Sequence, residues 1–505
     1  MTLKTVLAFG AALCVAACTF GALELASPFA DGMVMQRGRE VPVWGNATAG
    51  DRITVTFAGN TVEASAAADG RWKAELPAME ASKEGRTLTV RAAGSVSESR
   101  SIADVLVGEV WYVSGQSNAE CPLWYNAKDG NNPRFRDRHG ALVGQMTYRP
   151  YVRMCYASNY RTSKKPRERA AYPVKWESFS PDTLLTGHGF SAIGVYYALE
   201  LYAALDVPIG IVGSYWGGTR IEPWIPAEGF ESIGVDPATD DISQRSKDGK
   251  VRSDNQLPSR LWNEMVNPFA PMAMRGMIWY QGCSNSSESP ERYTRMMHAL
   301  YNGWSRKFNN PGMKLYYVQL APWGGGGHPE FQQAQARFEE EQPNAAMAVI
   351  NDLGNLTDIH PCDKEPVARR LVVHALKRDY GFDAIEDSSP KLRSWRIEGD
   401  RFVMEFDHAK SFYIYNMKYC SKENGFEICG ADGVWKPGRI HNFVVDPTYG
   451  RMYGGIQGGN ILEVSADGVS EPKKLRYLYS RPWYGSVYNE VCLPLGSFKI
   501  DGDSK

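Results

Sequence analysis

A serine, an aspartate–histidine pair, two glycines and an amide fall in four short stretches of this 505-residue chain. They are Gly115-Gln116-Ser117-Asn118, Trp216-Gly217-Gly218-Thr219, Gln281-Gly282-Cys283-Ser284-Asn285 and Asp358-Ile359-His360-Pro361. Acyl transfer through a serine needs these residue types. Ser117 Oγ would attack an ester carbonyl, and His360 would take its proton and pass it to the leaving alcohol. Asp358 would orient the imidazole and stabilise its positive charge. The oxyanion would meet the backbone N–H groups of Ser117 and Gly217 and the side-chain amide of Asn285. Each residue also has a plainer reading: a loop serine, a loop histidine, a capping carboxylate, a turn asparagine. Gln116, Arg220, Glu222, Trp224 and Gln281 are candidates to line a substrate pocket. Arg220, Glu222 and Trp224 read equally well as a salt bridge and a core indole.

Chemistry of this kind requires the four stretches to converge, and the pattern around them supplies the means. Val105 to Val113 is a nearly continuous apolar run, as in a strand buried on both faces. Gly115 then allows a sharp turn that lifts Ser117 from the strand end. Strands are expected over 209–213, 276–280, 315–320 and 346–350. Helices are expected over 191–205, 261–266, 293–304, 330–341 and 364–377. Alternation of this kind makes a mostly parallel sheet with helices on both faces. All four stretches then fall at the C-terminal edge of that sheet, where open α/β sheets bind ligands. The weakly patterned segment 126–186 reads as a functional wall or lid.

Flanking regions are β-rich. Ile53, Val55 and Phe57 alternate, Gly59-Asn60 and Asp69-Gly70 mark turns, and Leu88 and Val90 alternate again. Phe402, Met404 and Phe406, then Leu475 and Tyr477, repeat this beyond residue 388. The expected division is 1–22 targeting segment, 23–100 N-terminal β-sandwich module, 101–384 α/β domain and 385–505 C-terminal β domain.

The formal net charge of −1 gives no basic face for nucleic acid. Lys4 and the apolar stretch Val6 to Ala17 read as an export signal. Val15-Ala16-Ala17-Cys18 resembles a lipobox, which would lipidate Cys18; ordinary cleavage near Ala22 is the alternative. Export leaves a periplasmic, surface-anchored or secreted protein, with membrane contact only through that lipid. No H-E-x-x-H or paired C-x-x-C spacing occurs, so neither a metal nor another cofactor is expected.

GQSNAE, GGTRIEPW, WYQGCSN and DIHPCDK resemble the four blocks of the SGNH-type sialate O-acetylesterase family. ASPFADGMVMQRGREVPVWGNATAGDRITVTF and YNEVCLPLGSF resemble its flanks. The resemblance implies an SGNH-hydrolase-like domain and a serine esterase that removes O-acetyl groups from sialic acids. It carries over Ser117, Gly217, Asn285 and His360. Acetylated xylan or another polysaccharide is an alternative substrate, and a non-catalytic glycan-binding surface lipoprotein is an alternative of another class. Three positions depart from the family's pattern. Ala119 stands where Met is usual, Cys283 where Glu is usual, and Cys362 where a basic residue is common. Many SGNH hydrolases place the acid three residues before the His, at Thr357 here, which leaves the role of Asp358 open. Two cysteines replacing a plausible ion pair suggest a Cys283–Cys362 disulfide joining the two loops.

Overall fold

The computed structural model describes residues 22–94, 97–123, 148–180, 183, 189–324, 329–415, 424–445, 453–456, 459–480 and 485–502. The targeting segment, Cys18 and most of Gly324 to Gly327 lie outside these residues.

Seven strands build the central sheet: β1 (Glu98–Gly115), β2 (Arg149–Tyr156), β3 (Trp176–Phe179), β4 (Ile209–Tyr215), β5 (Gly276–Tyr280), β6 (Lys314–Val318) and β7 (Ala345–Ala348). Their order is β3-β2-β4-β1-β5-β6-β7. All pairings are parallel except β3 with β2, which is antiparallel at the edge. Five helices carry the argument: α1 (Ser117–Glu120), α2 (Ala192–Leu205), α3 (Pro290–Lys307), α4 (Pro329–Glu341) and α5 (Lys364–Asp379).

Alternation along β1 separates two cores. Trp111 and Val113 join Ile278, Tyr316 and the apolar faces of α2 and α5. Val110 and Tyr112 point the other way, toward Trp279, Tyr317, α3 and α4. Both faces are therefore covered, which is why β1 reads as a continuous apolar run rather than an alternating one.

The first half of β1 belongs to a second layer. Residues 98–107 pair antiparallel with Ser82–Ala93, which pairs with Arg52–Phe57, while Val34–Gln36 runs parallel to Leu106–Gly108. One 18-residue strand thus serves both the N-terminal β structure and the central sheet. Glu109, fully buried, pins this junction by ion pairs to Arg37 at 2.6 Å and Arg275 at 3.0 Å. Burial works against its charge, yet the two guanidinium groups hold its pKa below the ordinary carboxylate value. Beyond residue 390, three four-stranded sheets surround a separate core that includes Phe402, Phe412, Leu475 and Tyr477.

Two expectations change here. Segment 126–186 is not simply a loop: it contains β2 and β3. The expected helix over 261–266 is a π-helical turn, Trp262–Val266, running into a short 3₁₀ turn at Pro268. Proline lacks the N–H and cannot extend an α-helix.

Gly115 closes β1 with φ +138°, and a Cβ there would overlap the Tyr280 carbonyl of β5. Gly115→Ala is therefore expected to destabilise the fold by on the order of 4 kcal/mol, because both backbone strain and overlap oppose it. Urea unfolding of the variant checks this; a loss under about 1 kcal/mol, the level of an ordinary surface change, would show that the turn can rearrange.

Candidate active site

Ser117 is the first residue of α1, directly after the turn at the end of β1. His360 lies in the loop after β7, just before α5. Its Nε2 is 2.9 Å from Ser117 Oγ, and its Nδ1 is 3.2 Å from Asp358 Oδ1. Asp358 Oδ1 also accepts the His360 backbone N–H at 2.9 Å, so one carboxylate oxygen holds both ends of the residue. Nδ1 facing a carboxylate favours the tautomer with Nδ1–H, which leaves Nε2 to accept the serine proton. Thr357, the other candidate position for the acid, bonds Asn355 instead.

The four stretches do converge, and amide side chains stitch them together. Gln116 Oε1 accepts the N–H groups of Gly282 and Ser284. Gln281 Nε2 donates to the Thr219 carbonyl at 3.1 Å. Asn118 Nδ2 donates to the Ile359 carbonyl at 3.1 Å, beside His360. These bonds are buried or partly buried, each worth about 1 kcal/mol net, and leaving a partner unsatisfied costs more.

That stitching corrects the pocket assignment. Gln116, Arg220, Glu222, Trp224 and Gln281 are all buried. Arg220 is ion-paired to both Glu222 and Glu288, Trp224 Nε1 donates to Thr219 Oγ1, and Gln281 accepts from Tyr293. They form a buried scaffold under the loops. Asn285 belongs to the same scaffold. Its Nδ2 donates to Glu222 at 3.1 Å and Glu288 at 3.3 Å, while its Oδ1 accepts from Ile221 and Gln281. Both donor hydrogens are taken by carboxylates, buried Glu222 and partly buried Glu288, so this amide does not stand as an oxyanion donor.

The two backbone donors differ. Ser117 N–H meets no acceptor among the described residues. Gly217 N–H donates to Glu120 Oε2 at 2.5 Å, and a Cβ on Gly217 would lie 3.4 Å from the Ser117 Cβ. The Glu120 carboxylate thus occupies, beside the serine, the donor that an oxyanion would use. Glu120 Oε1 accepts the Tyr160 hydroxyl at 2.5 Å. Burial and that carboxylate push the Tyr160 phenol far above its ordinary value, so it stays a donor.

No bond joins Cys283 to Cys362; both are thiols. The loops are held instead through Asn118, which bonds Ile359 on one side and the buried Lys364 on the other, Nζ to Oδ1 at 2.6 Å. Cys121, Cys362 and Cys283 all lie within electrostatic reach of the Lys364 ammonium. Desolvation pushes the Cys283 thiol up to about 11, which keeps it protonated and out of nucleophilic chemistry at neutral pH.

Lys364 itself escaped assignment, although it closes the DIHPCDK block. Burial lowers its pKa from the ordinary 10.5. Between the lowered value and 10.5 the unfolded chain binds more protons, so this residue makes stability rise with pH across that window. Lys364→Met removes the effect. The stability of the variant relative to wild type should therefore fall as pH rises toward 10.5. Urea midpoints of both proteins test it; a difference independent of pH would mean an ordinary lysine.

A serine bonded to an imidazole at the C-terminal edge of a parallel sheet is the arrangement that α/β serine hydrolases use. The model of the family described as "Carbohydrate esterase, sialic acid-specific acetylesterase" matches residues 107–365. The chain belongs to that family and is an esterase. It is 28% identical to human sialate O-acetylesterase over 393 residues, 71% of each chain. It is 27% identical to the rat sialate O-acetylesterase over 459 residues, 79% of this chain and 81% of that one. The crystal structure of a carbohydrate acetylesterase from Xanthomonas citri superposes with TM-score 0.78 and 30% identity, covering 95% of this chain and 99% of that one.

Proposed function

We propose that this esterase hydrolyses O-acetyl esters of sialic acids, with Ser117, His360 and Asp358 as its catalytic triad. The carrying observation is the continuous line from Ser117 Oγ through His360 to Asp358, 2.9 and 3.2 Å apart. Ser117 Oγ attacks the acetyl carbonyl as its proton passes to His360 Nε2. The tetrahedral intermediate collapses, the sugar oxygen leaves with that proton, and the acetyl group stays on Ser117. Water, deprotonated by His360, then attacks the acetyl-enzyme; acetate leaves and Ser117 regains its proton. The oxyanion rests on the Ser117 N–H and on the Gly217 N–H once Glu120 yields it. The fold reading that accompanies this is an SGNH-hydrolase-like sheet extending to residue 384, joined through β1 rather than at residue 100 to a β-sandwich-like N-terminal unit and followed by another over 385–505, in an exported protein.

The likeness to the Xanthomonas citri enzyme, a carbohydrate acetylesterase, supports a second reading in which another acetylated saccharide is the substrate. Acetate release from 9-O-acetylated sialic acid, beside acetylated xylan, decides between them. Turnover of neither, with p-nitrophenyl acetate also intact, would remove the catalytic reading altogether.

A further inference from the structure

Beside Glu120 opens a cleft of about 610 Å³. Its walls include Tyr160, Trp216, Arg161, Arg167, Asp254 and Glu264. Two links tie it to the serine. Trp216 directly precedes Gly217, and the Tyr160 hydroxyl donates to Glu120, one helical turn after Ser117.

Tyr160 is half-exposed and sits at φ +54°. An aromatic residue in the left-handed region is strained, and such strain gathers at ligand sites. Here the turn stands Tyr160 edge-on to Trp216, with ring centroids 5.5 Å apart. Two aromatic rings in one open wall suit the apolar faces of a sugar ring.

Charge decides which sugar. The two carboxylates of the cleft already have partners: Glu264 pairs with Arg167 at 3.3 Å, and Asp254 pairs with Arg260 at 3.6 Å and accepts from Thr162. Arg161 has no carboxylate among the described residues. Its guanidinium lies 4.9 Å from the Tyr172 ring centroid, and one Nη2–H goes to the Tyr172 hydroxyl at 2.7 Å. Asn159 Oδ1 anchors its backbone N–H at 3.0 Å. The group is held in place with donors left over, as recognition of a planar anion requires.

We propose that this cleft binds the sugar of the ester and that Arg161 receives the carboxylate of an acidic sugar. The inference rests on the sialic acid reading above. An ester on the glycerol tail of sialic acid lies at the opposite end of the molecule from its carboxylate. In this proposal one end sits at Ser117 and the other at Arg161.

The test compares 9-O-acetylated sialic acid with its methyl ester at the carboxylate, each normalised to p-nitrophenyl acetate turnover by the same protein. Wild type should favour the free acid by about 10- to 100-fold in kcat/KM, the value of a charge-assisted pair. The preference should appear in KM and fall to near unity in Arg161→Gln. Equal use of acid and methyl ester by wild type overturns the proposal while leaving the sialic acid reading intact. So does an unchanged preference in Arg161→Gln. Turnover of acetylated xylan with no turnover of either sialic acid substrate overturns both.

Discussion

Ser117→Ala is expected to lower kcat by on the order of 10⁵- to 10⁶-fold with the fold unchanged. The hydroxyl is the bonded partner of His360 Nε2, and the four loops are held by Gln116, Asn118 and Gln281 rather than by Ser117. Losing the oxygen therefore removes the nucleophile and leaves the frame. His360→Ala should cost about as much, and the double variant little more than either, because the pair acts as one unit. Acetate release under saturating substrate checks all three. Additive losses, or residual turnover within about a hundredfold of wild type, would place the nucleophile elsewhere.

Asp358→Asn is the second large effect, expected at about 10²- to 10⁴-fold in kcat with little change in KM. The carboxylate is 44% exposed, so water screens its charge and its chief service is to set the tautomer and angle of His360. An asparagine can present N–H to Nδ1, which favours the wrong tautomer. Asn355 Oδ1 holds the N–H groups of Thr357 and Asp358 independently, so the loop stays anchored up to residue 358 in the variant. Near-normal kcat in Asp358→Asn would assign the orienting role to another group.

Much of this arrangement is legible in the chain itself. β5 begins and ends where its apolar run does, and α5 starts at Lys364 as its spacing requires. Periodicity reports these elements because each buries a regular face. β2 is hidden by the same logic. It carries Arg153, which is buried because its Nη1 donates to the carbonyls of Gly32 and Asp104. A charge satisfied by distant backbone has no local signature. Ser117, His360 and Asp358 stand out as a chemical set. Asn285 and Arg220 stand out for a different reason: they are polar residues beside the catalytic loops, and sequence cannot tell a group facing substrate from one facing Glu222 and Glu288. Glu120, Trp216 and Tyr160 carried the opposite problem. Two of them lay inside or beside the recognised blocks, but only the fold brings the third to meet them.

The shared strand β1 also bears on how such a protein is inherited. A unit joined by a linker can be gained, lost or exchanged by recombination without touching its neighbour. Here the break at residue 100 would sever a strand whose far end, 15 residues on, is the glycine that aims Ser117. The N-terminal β layer and the catalytic layer are therefore bound to travel as one heritable block, and sequence drift in either is answerable to the other.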